Sequence, residues 1–148
     1  MAASLRLLRF TIRLGLVVGW AWFIYDVSSD ASPSGPSAGG AGLLDFLPRP
    51  DLFAHAGVYA IFAWLLMLLA LPIKFCKPIN IALHFLMPII IVFVYGLAME
   101  MVQDGIPERS AEALDVVADV VGALITIVFM VKVWPRIKRA RRAVAAHL

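Results

Sequence analysis

Charge is scarce in this sequence, and cysteine is almost absent. Asp, Glu, Lys and Arg make up 16% of the 148 residues, against 62% hydrophobic residues. That balance excludes an ordinary soluble globule. The single cysteine, Cys76, excludes an internal disulfide and any CxxC metal motif, which leaves a free thiol or a site of reversible acylation. There is no internal repeat, and nothing like HExxH spacing occurs. A net charge of +3 comes without aromatic interleaving or a nucleic-acid-binding module, so no nucleic-acid partner is expected. The charge reads instead as orientation and attraction to anionic lipid.

What is present is four apolar stretches, Leu5–Tyr25, Leu52–Ile73, Ile79–Met99 and Ala113–Val131. Each reaches about 20 residues, enough at about 1.5 Å per residue to cross a hydrocarbon core of about 30 Å. With no water in that core the backbone must bond to itself, which makes each stretch a helix. The expected fold is therefore all-α: a polytopic membrane protein with four transmembrane helices. Orientation follows from the sparse charges. Lys and Arg cluster before the first stretch (Arg6, Arg9, Arg13), between the second and third (Lys74, Lys77) and after the fourth (Lys132, Arg136, Lys138, Arg139, Arg141, Arg142), eleven of 13 in all. All ten acids, from Asp26 to Asp119, lie in or beside the other two connections. The positive-inside rule then places both termini in the cytoplasm and the acidic loops outside.

The chain divides into a first, signal-like span at 1–25, a flexible outer loop at 26–51, a three-helix core at 52–134 and a basic cytoplasmic tail at 135–148. The first span, with its basic start and the small residues of Ala31–Gly42, resembles a cleavable secretory signal. Trp20, Trp22, Phe23 and Tyr25 crowd its outer end as an interfacial belt does, which favours a retained span. Arg6, Arg9 and Arg13 share one helix face and can snorkel inward. Ser28–Gly42 is rich in Ser, Pro, Gly and Ala and reads as a loop, with Leu43–Leu47 as a short interfacial turn. Asp51 is expected to cap the second span and Ser110 the fourth, with Glu112 in the first turn of the fourth. Pro88 should kink the third span, and Gly105 and Pro107 should turn the outer hairpin.

The few polar residues within the spans fall into register. Asp51, His55 and Tyr59 are spaced i, i+4, i+8, on one face of the second helix. Glu100 and Gln103 close the third, and Glu112, Asp115 and Asp119 open the fourth, with Gly122 and Thr126 continuing that stripe inward. Counted from Trp134 at the inner interface, Asp119 stands about 22 Å up at about 1.5 Å per residue. In a core of about 30 Å that leaves it about 8 Å below the outer surface. A carboxylate there cannot face lipid cheaply, so it should point into the bundle and find His55 or Arg109, or take up a proton. Arg109 suits bidentate pairing with a carboxylate or phosphate.

Each of these residues also has a plain structural reading. Asp51 can be only a cap, Glu112 a dipole partner, and Arg109 a solvated loop residue among acids. His84, mid-span in the third helix, reads as a residue bonded within the bundle. Taken together, intramembrane ionisable residues mark a site, with Asp51, His55, Tyr59, Glu100, Gln103, Arg109, Asp115 and Asp119 as its ligand-binding candidates. His55, Glu100 and Asp115 are the candidates for catalysis. One nearby histidine without motif spacing leaves no metal and no cofactor expected.

The ordered series resembles the VanZ-like family of bacterial membrane proteins. Asp51, His55 and Tyr59 match its first helix motif, and Glu100 and Gln103 in "YGLAMEMVQ" match its second. Arg109, Ser110 and Asp115 in "IPERSAEALD", followed by Gly122, match its third. The likeness covers about Pro50–Ile125, half the chain. Two positions depart from it: Leu52 stands where many members carry Lys, and Asp119 where many carry Asn. The resemblance implies a cell-envelope protein, multi-pass in a bacterial cytoplasmic membrane. The founding member is associated with low-level resistance to teicoplanin and many relatives have no assigned activity, so resistance to that drug is not carried over.

Three functions compete. In the first, the site at the outer leaflet binds a lipid headgroup, a lipid-linked cell-wall precursor or an amphiphilic drug, with Arg109 on its anionic group. In the second, the chain is an intramembrane enzyme in which His55 is a general base oriented by a carboxylate. In the third it is a structural or assembly subunit, its polar cluster locking helix packing.

Overall fold

The computed structural model describes residues 2–29, 49–70, 78–107, 112–133 and 135–136. Among them the architecture is all-helical: α1 (Ala2–Ser29), α2 (Pro50–Ala70), α3 (Pro78–Asp104) and α4 (Ala113–Val128), the last continued by a π-helical turn at Phe129–Val133. Four helices are long and apolar enough to cross a membrane, over Ser4–Ser29, Asp51–Ala70, His84–Asp104 and Ala113–Val133. The outward faces carry large apolar side chains throughout, among them Phe93, Val94, Val117 and Ile125.

Packing centres on α2, which lies against α4 most extensively and also meets α1 and α3. The reason is legible along α4. Its buried residues, Asp115, Val116, Ala118, Asp119, Gly122, Ala123 and Thr126, repeat at helical spacing and include three small side chains. Between apolar helices in lipid, small residues allow the close approach that drives association. At Gly122 the approach is extreme. A Cβ there would overlap the carbonyl oxygen of Ala56 and lie 2.8 Å from its carbonyl carbon. One turn further in, Thr126 Oγ1 donates to Ala60 O at 2.8 Å.

The helix α1 docks through its aromatics. Trp20 Nε1 donates to Val58 O of α2 at 3.0 Å, and Tyr95 OH of α3 donates to Ala21 O at 2.6 Å. Trp20 therefore turns inward, while Trp22, Phe23 and Tyr25 stay exposed. Below the polar end, Tyr59, Phe62 and Tyr95 form an aromatic cluster with ring centroids 5.4–6.5 Å apart. They join Val17, Ile24, Ala63, Leu66, Val92, Met99 and Ala123 in one core.

Several boundaries differ from expectation. Helix α1 runs about one turn past Tyr25, because Ser28 is buried in the bundle and Ser29 Oγ bonds back to Asp26 O at 3.2 Å. The helix α2 begins at Pro50, not after an Asp51 cap: proline's fixed φ and missing N–H suit the first helical position, and Asp51 falls in the first turn. Glu112 is itself the N-cap of α4, with extended backbone and no side-chain cap bond, rather than a first-turn residue. The helix α3 runs unbroken through Pro88. Gly105 and Ile106 close its end through bonds to Val102 O and Gln103 O. The interfacial turn expected at 43–47, the inner hairpin with Cys76, the expected cap Ser110, Arg109 and the basic tail beyond 136 lie outside the described residues.

Candidate functional site

Three helices bring one polar residue after another to the end of the bundle where α2 and α4 start and α3 finishes. Asp119 is the deepest and most enclosed, 1% exposed. Its Oδ1 accepts a hydrogen bond from His55 Nδ1 at 3.0 Å. Its other oxygen, Oδ2, lies over the bare backbone of Gly96, where a Cβ would overlap it. Gly96 thus makes room on α3 for a carboxylate carried by α4.

The second imidazole nitrogen, His55 Nε2, faces Asp115, with Oδ2 at 3.8 Å. That distance is too long for a hydrogen bond. Asp115 is 8% exposed and its Oδ1 is buried without a hydrogen-bond partner among the described residues, as is Asp119 Oδ2. Glu100, 4% exposed, reaches across from α3, and its Oε2 accepts the backbone N–H of Glu112 at 2.8 Å. Glu100 therefore caps the start of α4, the service expected from Ser110. One donor atom each from His55, Glu100 and Asp115 lie within 4.8 Å of one another. Beneath them the Tyr59 ring stacks parallel to His55, 6.4 Å between centroids.

At the rim, Arg49 pairs with Glu112 Oε2 at 2.7 Å and stands 3.8 Å from Asp51 Oδ2. Its backbone carries a φ of 124°, a conformation side-chain-bearing residues rarely adopt, so the ion pair and the Pro50 helix start hold it together. Of the eight ligand-binding candidates, the structure gathers His55, Tyr59, Glu100, Asp115 and Asp119. Asp51 is displaced to the rim with Arg49. Gln103 is half-buried about one turn above Glu100 and makes no side-chain hydrogen bond among the described residues. Arg109 lies outside the description. His84 is buried against Phe85 at 5.2 Å. It is 16 residues, about 24 Å of helix, from Glu100.

Sequence reasoning missed two participants. Arg49 stood out only as one of two basic residues, with Arg109, outside the three basic clusters; its role depends on the fold bringing Glu112 beside it. Gly96 carried a weak signal: a glycine four residues before Glu100 lies on the same helix face, where a missing side chain permits close approach.

Chemically, this is a buried carboxylate-rich centre with one oriented imidazole. It can accept hydrogen bonds, hold a cation, or take a proton through His55. Comparison with family models, with curated proteins and with solved structures returns no match.

Proposed function

We propose that the chain is a VanZ-like protein of a bacterial cytoplasmic membrane, with both termini inside and its polar site at the outer leaflet. There it binds the polar headgroup of a membrane-resident amphiphile: a lipid, a lipid-linked cell-wall precursor or an amphiphilic drug. The observation that carries this reading is the burial of Glu100, Asp115 and Asp119 around a partly buried His55, from three helices, in a bundle whose outer faces are apolar. Ionisable groups at such depth are costly and mark sites by default. Arg109, between α3 and α4 in the sequence, would meet an anionic group, with Tyr59, stacked on His55, beside the polar residues.

Topology is the first thing to test. Reporter fusions after Asp30 and Glu108 should read as outside, and fusions after Cys76 and Leu148 as cytoplasmic, following the distribution of Lys and Arg. A cytoplasmic signal at Glu108 would put the site on the wrong face and end the reading.

Native mass spectrometry of the purified protein tests the binding itself. Wild type should carry a bound amphiphile that Arg109→Ala and Arg109→Lys both lose while melting at the wild-type temperature. Lys keeps the charge but not the planar fork. Equal loss of stability and ligand in both variants would make Arg109 a bundle-locking residue.

A second reading, an intramembrane enzyme acting on a lipid-linked substrate, has one observation in its favour: the 3.0 Å bond from His55 Nδ1 to Asp119 Oδ1. That is how an imidazole base is oriented by a carboxylate. His55→Gln keeps hydrogen bonding but cannot take a proton near neutral pH. Retained amphiphile with lost conversion would favour the enzyme. Retention of both would remove it.

A further inference from the structure

We propose that His55, Glu100 and Asp115 form a binding site for one first-row divalent cation, with Asp119 as the residue that orients His55. This deepens the headgroup reading by naming what the acidic centre takes up first, and it rests on that reading only for what binds next.

The geometry carries it in two independent ways. The first is the donor set itself, a nitrogen and two carboxylate oxygens from three helices within 4.8 Å of one another. The separation of His55 Nε2 and Asp115 Oδ2, 3.8 Å, is too long for a hydrogen bond. It is close to that of two ligands on one ion, about 3.4 Å for tetrahedral bonds of about 2.1 Å. The second is the state of the groups around it. An ionised Asp119 can only accept from Nδ1, at 3.0 Å, and that leaves Nε2, 3.8 Å from Asp115 Oδ2, as the nitrogen that would ligate. A carboxylate on the far nitrogen of a histidine is the usual support of a metal ligand. Glu100 is likewise held, by the Glu112 N–H, as ligating carboxylates are. Asp115, more than nine-tenths buried, keeps Oδ1 without a hydrogen-bond partner among the described residues.

Electrostatics points the same way. Three carboxylates lie buried side by side, and among the described residues the one Arg nearby, Arg49, is engaged at the rim with Glu112 and Asp51. Burying such charge is unfavourable unless it is paired. A dication pairs with it directly. It also resolves how an acidic centre would attract an anionic headgroup, since three protein donors leave positions open for water or a phosphate oxygen. The imidazole selects Zn2+ or Mn2+ over Mg2+ and Ca2+, which prefer all-oxygen cages.

The test uses the full chain in detergent, stripped with a chelator and titrated with Zn2+, Mn2+ or Mg2+ alone. One Zn2+ or Mn2+ should bind per chain, with Mg2+ at least about tenfold weaker. Glu100→Gln and Asp115→Asn should abolish saturable binding, and Asp119→Asn, which keeps all three donors, should weaken it about 10–100-fold. Asp104→Asn, exposed at the end of α3, should bind as wild type. Helix content and melting of the stripped variants separate loss of the site from loss of the fold. A measurement free of variants is the electron-spin-echo spectrum of Mn2+ bound to wild type, which should show one imidazole nitrogen. No saturable binding in wild type, binding that survives Glu100→Gln with Asp115→Asn, or an absent nitrogen signal would overturn the proposal. Mass spectrometry of the stripped protein keeps the two readings apart. An amphiphile retained by a chain that never binds metal ends this inference alone, and metal bound by a chain that never carries an amphiphile ends the headgroup reading alone.

Discussion

Gly122→Ala should be among the most damaging single-methyl changes in this protein. The added Cβ would meet the backbone of Ala56, its carbonyl carbon at 2.8 Å and its Cα at 3.0 Å, and would overlap the carbonyl oxygen. A flexible side chain can swing away from such a contact; a helix backbone cannot. Relief requires α2 and α4 to separate, which loosens the Thr126–Ala60 hydrogen bond and draws His55 away from Asp119. Overpacking of this kind costs about 1–3 kcal/mol and more where the neighbour is rigid. Gly122→Val should exceed the range. Thermal melting in detergent measures it, with Gly57→Ala as the reference: nothing lies within 4 Å of a Cβ at Gly57, so that variant should melt at or slightly above wild type. Equal melting of Gly122→Ala and Gly57→Ala would refute the close α2–α4 approach on which the site geometry stands.

That approach also shows what could be read in advance. Helix number and type were legible because a hydrocarbon core demands runs of about 20 apolar residues, and the chain has four. The stripe Asp115, Asp119, Gly122, Thr126 announced which face of α4 turns inward, since polar and small residues at that depth have nowhere else to go. Partner choice was half legible. Asp119 had two expected partners, His55 and Arg109; the fold joins it to His55, on the helix that packs closest, while Arg109 lies outside the described residues. Glu100 capping α4, Arg49 bridging to Glu112 and Gly96 yielding space to Asp119 all depend on which helices touch, at what separation. No spacing within a single helix contains that information. His55, Glu100 and Asp115 were named together from the sequence, but their proposed role as cation ligands was hidden for the same reason: each comes from a different helix, so no motif announces it.

The deep carboxylate gives the sharpest contrast between two substitutions at one position. Asp119→Asn should fold and melt within about 1 kcal/mol of wild type. Its amide oxygen can take over the bond from His55 Nδ1, its size is unchanged beside Gly96, and the cost of an unpaired amide hydrogen, about 1–3 kcal/mol, is offset by removing a buried charge. Asn is also what the resemblance places here. Asp119→Lys should fail. A side chain 1% exposed and seated over Gly96 has no room for four methylenes, and the ammonium would face the imidazole N–H that the carboxylate now accepts. Loss of one partner from a buried polar pair costs about 3–5 kcal/mol, and a cation at bilayer depth adds an insertion penalty of up to about 3 kcal/mol. The yield of membrane-inserted protein and its melting temperature should therefore fall together for Lys and for Asn hardly at all. If both variants insert and melt alike, Asp119 reaches water, and a centre open to water has no need of His55 or of a cation to balance it.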